Sequence, residues 1–134
     1  MLPTVVFLED NNDLGELLES IIETSLHIDC DVYQSVEVLK SNKATVLSSK
    51  IVILDIELGF NKPSGIDAYK WLVDNNFQGH IYFLTGHGYS NPLVQAAAKA
   101  GATIWEKPIS SSQIISNFKA LLAQSKVADR GFGL

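Results

Sequence analysis

The hydrophobic positions of the chain follow two periods in turn, one typical of strands and one typical of helices. Short runs of apolar, mostly β-branched or aromatic residues predict buried strands. These runs lie at residues 4–8, 51–55, 81–85 and 103–105. Residues 28–33 alternate apolar and polar side chains and predict an outer, half-exposed strand. Apolar residues at three- and four-residue spacing follow each run and predict helices around residues 14–22, 38–46, 66–75, 91–100 and 110–122. This alternation predicts an α/β domain with parallel strands and helices on both faces of the sheet.

Polar residues near the ends of these stretches indicate where helices begin or weaken. Asn12 or Asp13 is the predicted N-cap of the first helix, and Ser35 is the predicted N-cap of the second. Asn42 falls within the second helical stretch and weakens its predicted continuity. The later helices are expected to be delimited by Asn91, Gly101 and Ser110. The apolar stripes predicted to face the core include Leu17, Val38 and Val73.

Composition and charge narrow the class of protein. Of the 134 residues, 46% are hydrophobic and 19% are charged, as expected for one globular domain. A net charge of −5 without a Lys/Arg cluster argues against nucleic acid as a direct partner. The sequence shows no signal peptide and no apolar run long enough to span a membrane, and the single Cys30 cannot form an internal disulfide. We therefore expect a cytoplasmic protein with no membrane partner.

Polar groups stand at the ends of the predicted strands, where a ligand would bind. Ligands of an open parallel α/β sheet lie outside the carboxyl ends of its strands. Glu9 and Asp10 follow the first strand, Asp55 ends the third, Thr85 ends the fourth, and Lys107 follows the fifth. Each residue alone has a plain explanation as a turn or surface residue. Together they would place three carboxylates, a hydroxyl and an ammonium group at one edge of the sheet.

This set of groups predicts metal-assisted phosphoryl chemistry. Neighbouring carboxylates repel one another unless a cation neutralises them, and carboxylate oxygens suit Mg²⁺, with Mn²⁺ as an alternative. A hydroxyl and an ammonium group beside such a cation can bind phosphoryl oxygens. Asp55 ends the most buried run, so it is the predicted nucleophile and would form an acyl phosphate.

The ordered set of motifs resembles the receiver (CheY-like) domain of two-component response regulators. The motifs are the acidic pair after Phe7-Leu8, the aspartate of Val52-Ile53-Leu54-Asp55, Gly65, Thr85 before Gly86, and Lys107-Pro108. The resemblance covers residues 4–126, which we expect to form one receiver domain, with residues 127–134 as a C-terminal tail. It implies a flavodoxin-like (βα)5 three-layer sandwich with a five-stranded parallel sheet in the order 2-1-3-4-5.

The resemblance also implies a role for each residue of the site. Asp55 would accept a phosphoryl group from a histidine kinase or a phosphotransfer protein. Glu9 and Asp10 would hold Mg²⁺ together with Asp55 and the main-chain carbonyl of Glu57. Thr85 and Lys107 would bind the phosphoryl oxygens, and the Lys107–Pro108 peptide bond is expected to be cis. The phosphorylated state would act on a downstream effector protein or a tethered output domain, so the domain would catalyse only its own phosphorylation and dephosphorylation.

Several positions depart from the pattern of that family. Glu9 stands where aspartate is usual, and the loop between Asp55 and Gly65 is about two residues longer than the common one. Ile104 occupies the position at which the family often has a switching Tyr or Phe, and Trp105 follows it. A relay in this chain would therefore act at Ile104 and Trp105, although packing is the expected role of Trp105.

Two further residues are predicted to set the lifetime of the phosphorylated state. Glu57 lies two positions after Asp55, and His87 lies two positions after Thr85. In the family these positions flank the path of the hydrolytic water. A loop residue between two glycines is the alternative interpretation of His87.

Two other classes of function remain open at this stage. The chain could be a receiver-like module that binds partners without being phosphorylated, although the full acidic set argues against this. It could also be an aspartyl-phosphate hydrolase or a flavodoxin-like electron carrier. Against a hydrolase, Asp55-Ile56-Glu57 lacks the second aspartate expected after the nucleophile. Against an electron carrier, Glu9 and Asp10 would repel the phosphate of a flavin.

Overall fold

A five-stranded parallel sheet forms the middle layer of the protein. The computed structural model describes residues 4–56, 58, 63–86, 92–99, 103–106 and 112–120. The strands are β1 (Val5–Leu8), β2 (Cys30–Tyr33), β3 (Ile51–Asp55), β4 (His80–Thr85) and β5 (Thr103–Glu106). They pair in the order β2-β1-β3-β4-β5, with every pairing parallel. The predicted flavodoxin-like arrangement is therefore confirmed.

Helices connect the strands and cover both faces of the sheet. They are α1 (Asn12–Leu26), α2 (Val36–Ser41), α3 (Lys43–Ser48), α4 (Gly65–Asp74) and α5 (Pro92–Lys99). Residues 112–120 are also helical and are called α6 below. The second predicted helix is divided between α2 and α3 at Asn42, where the sequence predicted weak continuity. Within the described ranges, the helices are all too short or too polar to cross a membrane.

The helix caps confirm one sequence prediction and correct another. Ser35 caps α2, and its hydroxyl accepts a hydrogen bond from the amide of Val38 at 3.2 Å. The N-cap of α1 is Asn11, whose side chain accepts from the amide of Leu14 at 3.0 Å. The prediction of Asn12 or Asp13 was wrong because both already lie within the first turn, whereas Asn11 keeps an extended backbone. The expected boundary residues Asn91, Gly101 and Ser110 lie outside the described residues.

Two apolar layers hold the sheet between the helices. Successive side chains of a strand point to opposite faces, so β1 sends Val6 and Leu8 to one layer and Val5 and Phe7 to the other. The first layer is completed by buried residues of α2, α3, α4 and α5, and the second by buried residues of α1 and α6. Burial on both faces explains why the strands are almost uniformly apolar.

Three residues of the predicted apolar stripes do not face the core. Leu17 is 50% exposed and Val73 is 52% exposed, and Val38 is exposed as well. Each of them adjoins a buried neighbour, as Val73 adjoins Leu72. Since consecutive helical residues point about 100° apart, each stripe is narrower than its run of apolar residues suggested.

Aromatic side chains join β4 and β5 to α6. Trp105 stacks on Tyr82 with ring centroids 5.3 Å apart and meets Phe118 edge-on at 5.7 Å. Phe118 in turn lies 5.8 Å from Phe7 on β1. Trp105 thus packs, as the sequence predicted, in the layer shared with α1 and α6, whereas Ile104 packs in the opposite layer.

Replacing Phe118 by alanine is expected to lower the free energy of unfolding by about 3–5 kcal/mol, because a fully buried ring would leave a cavity between Phe7 and Trp105. Urea unfolding followed by circular dichroism measures this loss. The matched control is Leu17→Ala, which removes a half-exposed side chain and should change stability by less than about 1 kcal/mol. Equal losses for the two variants would contradict the observed packing of α6.

Candidate metal centre at the carboxyl edge of the sheet

The pairing register brings three strand ends to one place. Leu8 of β1 pairs with Leu54 of β3, so Glu9 and Asp10 emerge beside Asp55. Asp55 pairs with Leu84 of β4, which places Thr85 one residue farther along the adjacent strand. The order β1-β3-β4 makes these strands direct neighbours. The predicted convergence of polar groups at this edge is therefore observed for Glu9, Asp10, Asp55 and Thr85.

Three carboxylates form a tight cluster at this edge. One oxygen from each of Glu9, Asp10 and Asp55 lies within 4.8 Å of the others. Glu9 is 1% exposed and Asp55 is 3% exposed, whereas Asp10 is open to solvent. At an effective dielectric constant of about 20, two full negative charges at this separation repel by about 3–4 kcal/mol. The cluster is thus costly for the bare protein and favourable for a cation.

The donor set fits a hard divalent ion. All three groups offer carboxylate oxygens, the ligands preferred by Mg²⁺ and Mn²⁺. The exposed side of Asp10 leaves room for the water ligands that Mg²⁺ retains. Burial of Glu9 and Asp55 increases the benefit of neutralisation, because charge is poorly solvated there. The cluster could therefore hold Mg²⁺ through one oxygen from each carboxylate.

Glu9 is held by the main chain on either side of it. Its amide donates to the carbonyl of Tyr33 on β2 at 2.9 Å, which extends the β1–β2 pairing. Its Oε2 accepts a hydrogen bond from the amide of Asn11 at 3.2 Å. Asn11 therefore orients the carboxylate with its amide and caps α1 with its side chain. Sequence reasoning missed Asn11, although its place directly after the acidic pair was a usable signal.

Asp55 is held through the residues that follow it. The amide of Ile56 donates to the carbonyl of Leu84 at 3.0 Å, so pairing with β4 continues past Asp55. The carbonyl of Ile56 accepts from the amide of Gly65, the first residue of α4, also at 3.0 Å. The side chain of Ile56 is fully buried. Gly65 appeared in the sequence only as part of a motif; its contact with the end of β3 appears only in the structure.

The remaining predicted site residues lie outside the described part of the chain. These are Glu57, His87 and Lys107, together with the Lys107–Pro108 peptide bond. Their roles stay predictions from the sequence. A cavity of about 150 Å³ borders the described part of the site, and Asp10, Ser35, Leu58 and Pro63 are among its lining residues.

The single cysteine has no part in this site. Cys30 is buried in β2, and burial raises the pKa of its thiol well above the usual value, with a further contribution from Glu19 and Glu23 of α1 and from Asp31. Burial also raises the pKa of Glu19, and the neighbouring Glu23, Asp31 and Glu16 add to this. The thiol consequently stays protonated at neutral pH, which makes it a poor nucleophile and metal ligand.

Comparison with known proteins gives similarities in sequence and in structure. No protein-family profile matches the chain. It is 28% identical over 120 residues to the response regulator protein TodT of Pseudomonas putida, a match that covers 88% of this chain and 50% of TodT. The chain thus spans about half the length of the curated relatives it matches.

Solved structures extend the similarity to the whole fold. The signal receiver domain of a Vibrio parahaemolyticus repressor protein superposes with a TM-score of 0.77 at 23% identity, covering 96% of both chains. A response regulator receiver protein from Burkholderia phymatum superposes with a TM-score of 0.70 at 25% identity, covering 90% of this chain and 95% of its own.

The sheet order and the acidic cluster at its carboxyl edge agree with these similarities to response regulators and their receiver domains. The similarity in structure covers nearly the whole chain, and the similarity in sequence extends over most of it. The chain therefore has the fold of CheY-like receiver domains, and its sequence is similar to that of a response regulator.

Proposed function

We propose that this chain is a receiver domain that acts as a Mg²⁺-dependent phosphoacceptor in a phosphorelay, with Asp55 as the residue that is phosphorylated. The observation that carries the proposal is the placement of the carboxylate oxygens of Glu9, Asp10 and Asp55 within 4.8 Å of one another, at the end of a fully buried strand. Clustered carboxylates repel one another, and a cation bound among them offsets that repulsion.

The chemistry follows from the groups at this edge. A carboxylate oxygen of Asp55 attacks the phosphorus of a phosphohistidine; a P–O bond forms, the P–N bond breaks, and the imidazole leaves and takes up a proton from solvent. Mg²⁺, when bound, would supply positive charge that offsets the negative charge developing on the phosphoryl oxygens. The hydroxyl of Thr85 donates to one phosphoryl oxygen, and the ammonium group of Lys107 pairs with another. Glu9 and Asp10 would hold the cation, and the resemblance to receiver domains implies the carbonyl of Glu57 as a further ligand.

Burial fixes two of the groups that would act in this transfer. Asp55 and Thr85 are almost completely buried, so their positions are set by the sheet rather than by solvent. Electrostatic interactions between fixed groups are stronger in such an environment than in water. The site is therefore suited to positioning one phosphoryl group.

Phosphorylation then shifts an equilibrium between two conformations of the domain. The phosphodonor is a histidine kinase or a phosphotransfer protein, and the output is a downstream protein or a tethered domain. The surface formed by α5, β5 and α6 reports the change, and Ile104 and Trp105 lie on the strand at its centre. The domain acts only on its own aspartate and on no separate substrate.

A non-phosphorylated interaction module is the competing function for the same fold. Such a module would need the two apolar layers but would have no use for two buried carboxylates beside an exposed third one. The acidic cluster therefore favours the phosphoacceptor.

Incubation with acetyl phosphate and Mg²⁺ is expected to add the mass of one phosphoryl group to the protein, because the carboxylate of Asp55 displaces acetate from phosphorus. Intact mass spectrometry measures the gain. Asp55→Asn should gain nothing, since the amide is not a nucleophile. If the wild type is not labelled under conditions that label a known receiver, the non-phosphorylated interaction module would be the better interpretation.

Neutralising Asp10 as Asp10→Asn is expected to weaken Mg²⁺ binding at least about tenfold, because one of three clustered carboxylates is lost. Calorimetric titration of the unphosphorylated protein with Mg²⁺ gives the dissociation constant. Glu23→Gln is the matched control, since it removes the same charge from an exposed position on α1. A similar weakening in both variants would point to general charge rather than to ligation.

Glu57→Ala and His87→Ala are expected to change the rate at which the phosphorylated protein decays, because both positions are predicted to flank the path of the hydrolytic water. The decay is followed by intact mass after acetyl phosphate is removed. Unchanged decay in both variants would remove these two residues from the proposal and leave the phosphoacceptor role of Asp55 standing.

A further inference from the structure

The first turn of α4 rests directly on the main chain of Asp55. Gly65 begins this helix, and a Cβ atom built on it would lie 2.3 Å from the carbonyl oxygen of Asp55. The same atom would lie 2.9 Å from the carbonyl carbon of Asp55 and 3.1 Å from the Cα of Ile56. All three neighbours are backbone atoms, which have no flexible end that could move aside. Helix and strand can approach this closely only because residue 65 has no side chain.

The main chain after Asp55 is held from two sides. On one side the amide of Ile56 donates to Leu84 of β4 at 3.0 Å, and on the other the amide of Gly65 donates to the carbonyl of Ile56 at 3.0 Å. The peptide that carries the carbonyl of Asp55 therefore lies between the sheet and the helix. Its position determines where the Asp55 side chain starts, and hence its distance from Glu9 and Asp10.

Hydrogen bonds and packing hold the start of α4 in this contact. Ser64 and Asp67 form a capping box in which the side chain of Ser64 accepts from the amide of Ile66 at 3.2 Å and the amide of Ser64 donates to Asp67 Oδ2 at 2.7 Å. Farther along the helix, Ala68 and Leu72 are fully buried in the apolar layer. The helix is thus fixed both at its end and along its inner face.

We propose that Gly65 is a positioning residue for Asp55: its missing side chain lets the capped start of α4 fix the main chain of the phosphoacceptor, so that the Asp55 carboxylate joins the metal cluster. The proposal rests on the proposed phosphoacceptor function. It adds that a residue of the neighbouring helix determines where the phosphoacceptor aspartate lies. The start of α4 and strand β4 together fix the main chain that carries the Asp55 carboxylate.

A methyl group at position 65 must displace the peptide between Asp55 and Ile56, because the clash is with backbone. A misplacement of about 1 Å in a positioned group can lower a rate by about a hundredfold. Gly65→Ala is therefore expected to weaken Mg²⁺ binding about tenfold or more and to slow phosphorylation by acetyl phosphate at saturating Mg²⁺. The metal affinity is measured by calorimetry on the unphosphorylated protein and the rate by intact mass.

Gly79→Ala provides a matched control for loss of stability. A Cβ atom at Gly79 would lie 2.4 Å from the carbonyl oxygen of Lys50, a backbone clash of the same kind as that at Gly65. Gly79 precedes β4, whereas the acidic cluster lies beyond the opposite ends of the strands. Urea unfolding should show that both alanine variants are destabilised. Metal affinity should fall in Gly65→Ala and stay within about twofold of wild type in Gly79→Ala.

Ser64→Ala offers a second test that adds no atom to the contact. It removes the hydroxyl that caps α4 and so loosens the support without a clash. A loss of Mg²⁺ affinity relative to wild type is expected, smaller than that in Gly65→Ala. If Gly65→Ala does not fold, unchanged affinity in Ser64→Ala would overturn the positioning role, and a loss would support it.

The outcomes separate this proposal from the proposed function. Wild-type affinity for Mg²⁺ in folded Gly65→Ala, or equal losses in Gly65→Ala and Gly79→Ala, would overturn the positioning role while leaving Asp55 as phosphoacceptor. Selective loss of affinity in Gly65→Ala supports the positioning role even if wild type is not phosphorylated, in which case the proposed function alone falls. A wild type that binds no Mg²⁺ would overturn both.

Discussion

Repulsion among the carboxylates of Glu9, Asp10 and Asp55 is the constraint around which this structure is arranged. Two of the three groups are buried, and all three have oxygens within 4.8 Å of one another. Such a cluster relaxes by moving apart unless the surrounding structure resists or a cation neutralises it. The protein supplies the resistance through rigid strands and helix starts. Neutralisation by a divalent cation belongs to the proposed function.

The resistance comes from the two apolar layers and from a few main-chain hydrogen bonds. Strands β1 and β3 are buried on both faces, so the residues that follow them cannot shift without disturbing both layers. The amide of Asn11 holds Glu9, and the start of α4 holds the backbone of Asp55. The site thus lies at the ends of rigid elements, and Asp10 is its exposed residue. At β5, Trp105 stacks on Tyr82 and meets Phe118 edge-on, in the layer opposite the one that contains Ile104.

The agreement between sequence and structure depends on the kind of interaction involved. The strands were predictable because burial on both faces demands uninterrupted apolar runs, and their parallel order follows from the helices between them. The acidic cluster was predictable as well, since the carboxyl ends of neighbouring parallel strands must meet. The cap Asn11 was missed, because a cap depends on where the backbone becomes extended. The exposure of Val38 and Val73 was misjudged, because exposure depends on which side of a helix packs against a neighbouring element. The spacing of apolar residues predicts neither the position of a cap nor the exposure of a side chain.

By itself the sequence determined the α/β fold, the residues at the strand ends and the chemistry that oxygen ligands and a buried aspartate can perform. These depend on local periodicity and on residue type, which a single chain displays directly. Only the tertiary structure decided how close the carboxylates lie, which of them are buried, and that Gly65 touches the backbone of Asp55 although nine residues separate them in the chain. Contacts of that kind arise from the meeting of two elements, and their distances are set by the packing of the whole core rather than by either segment alone.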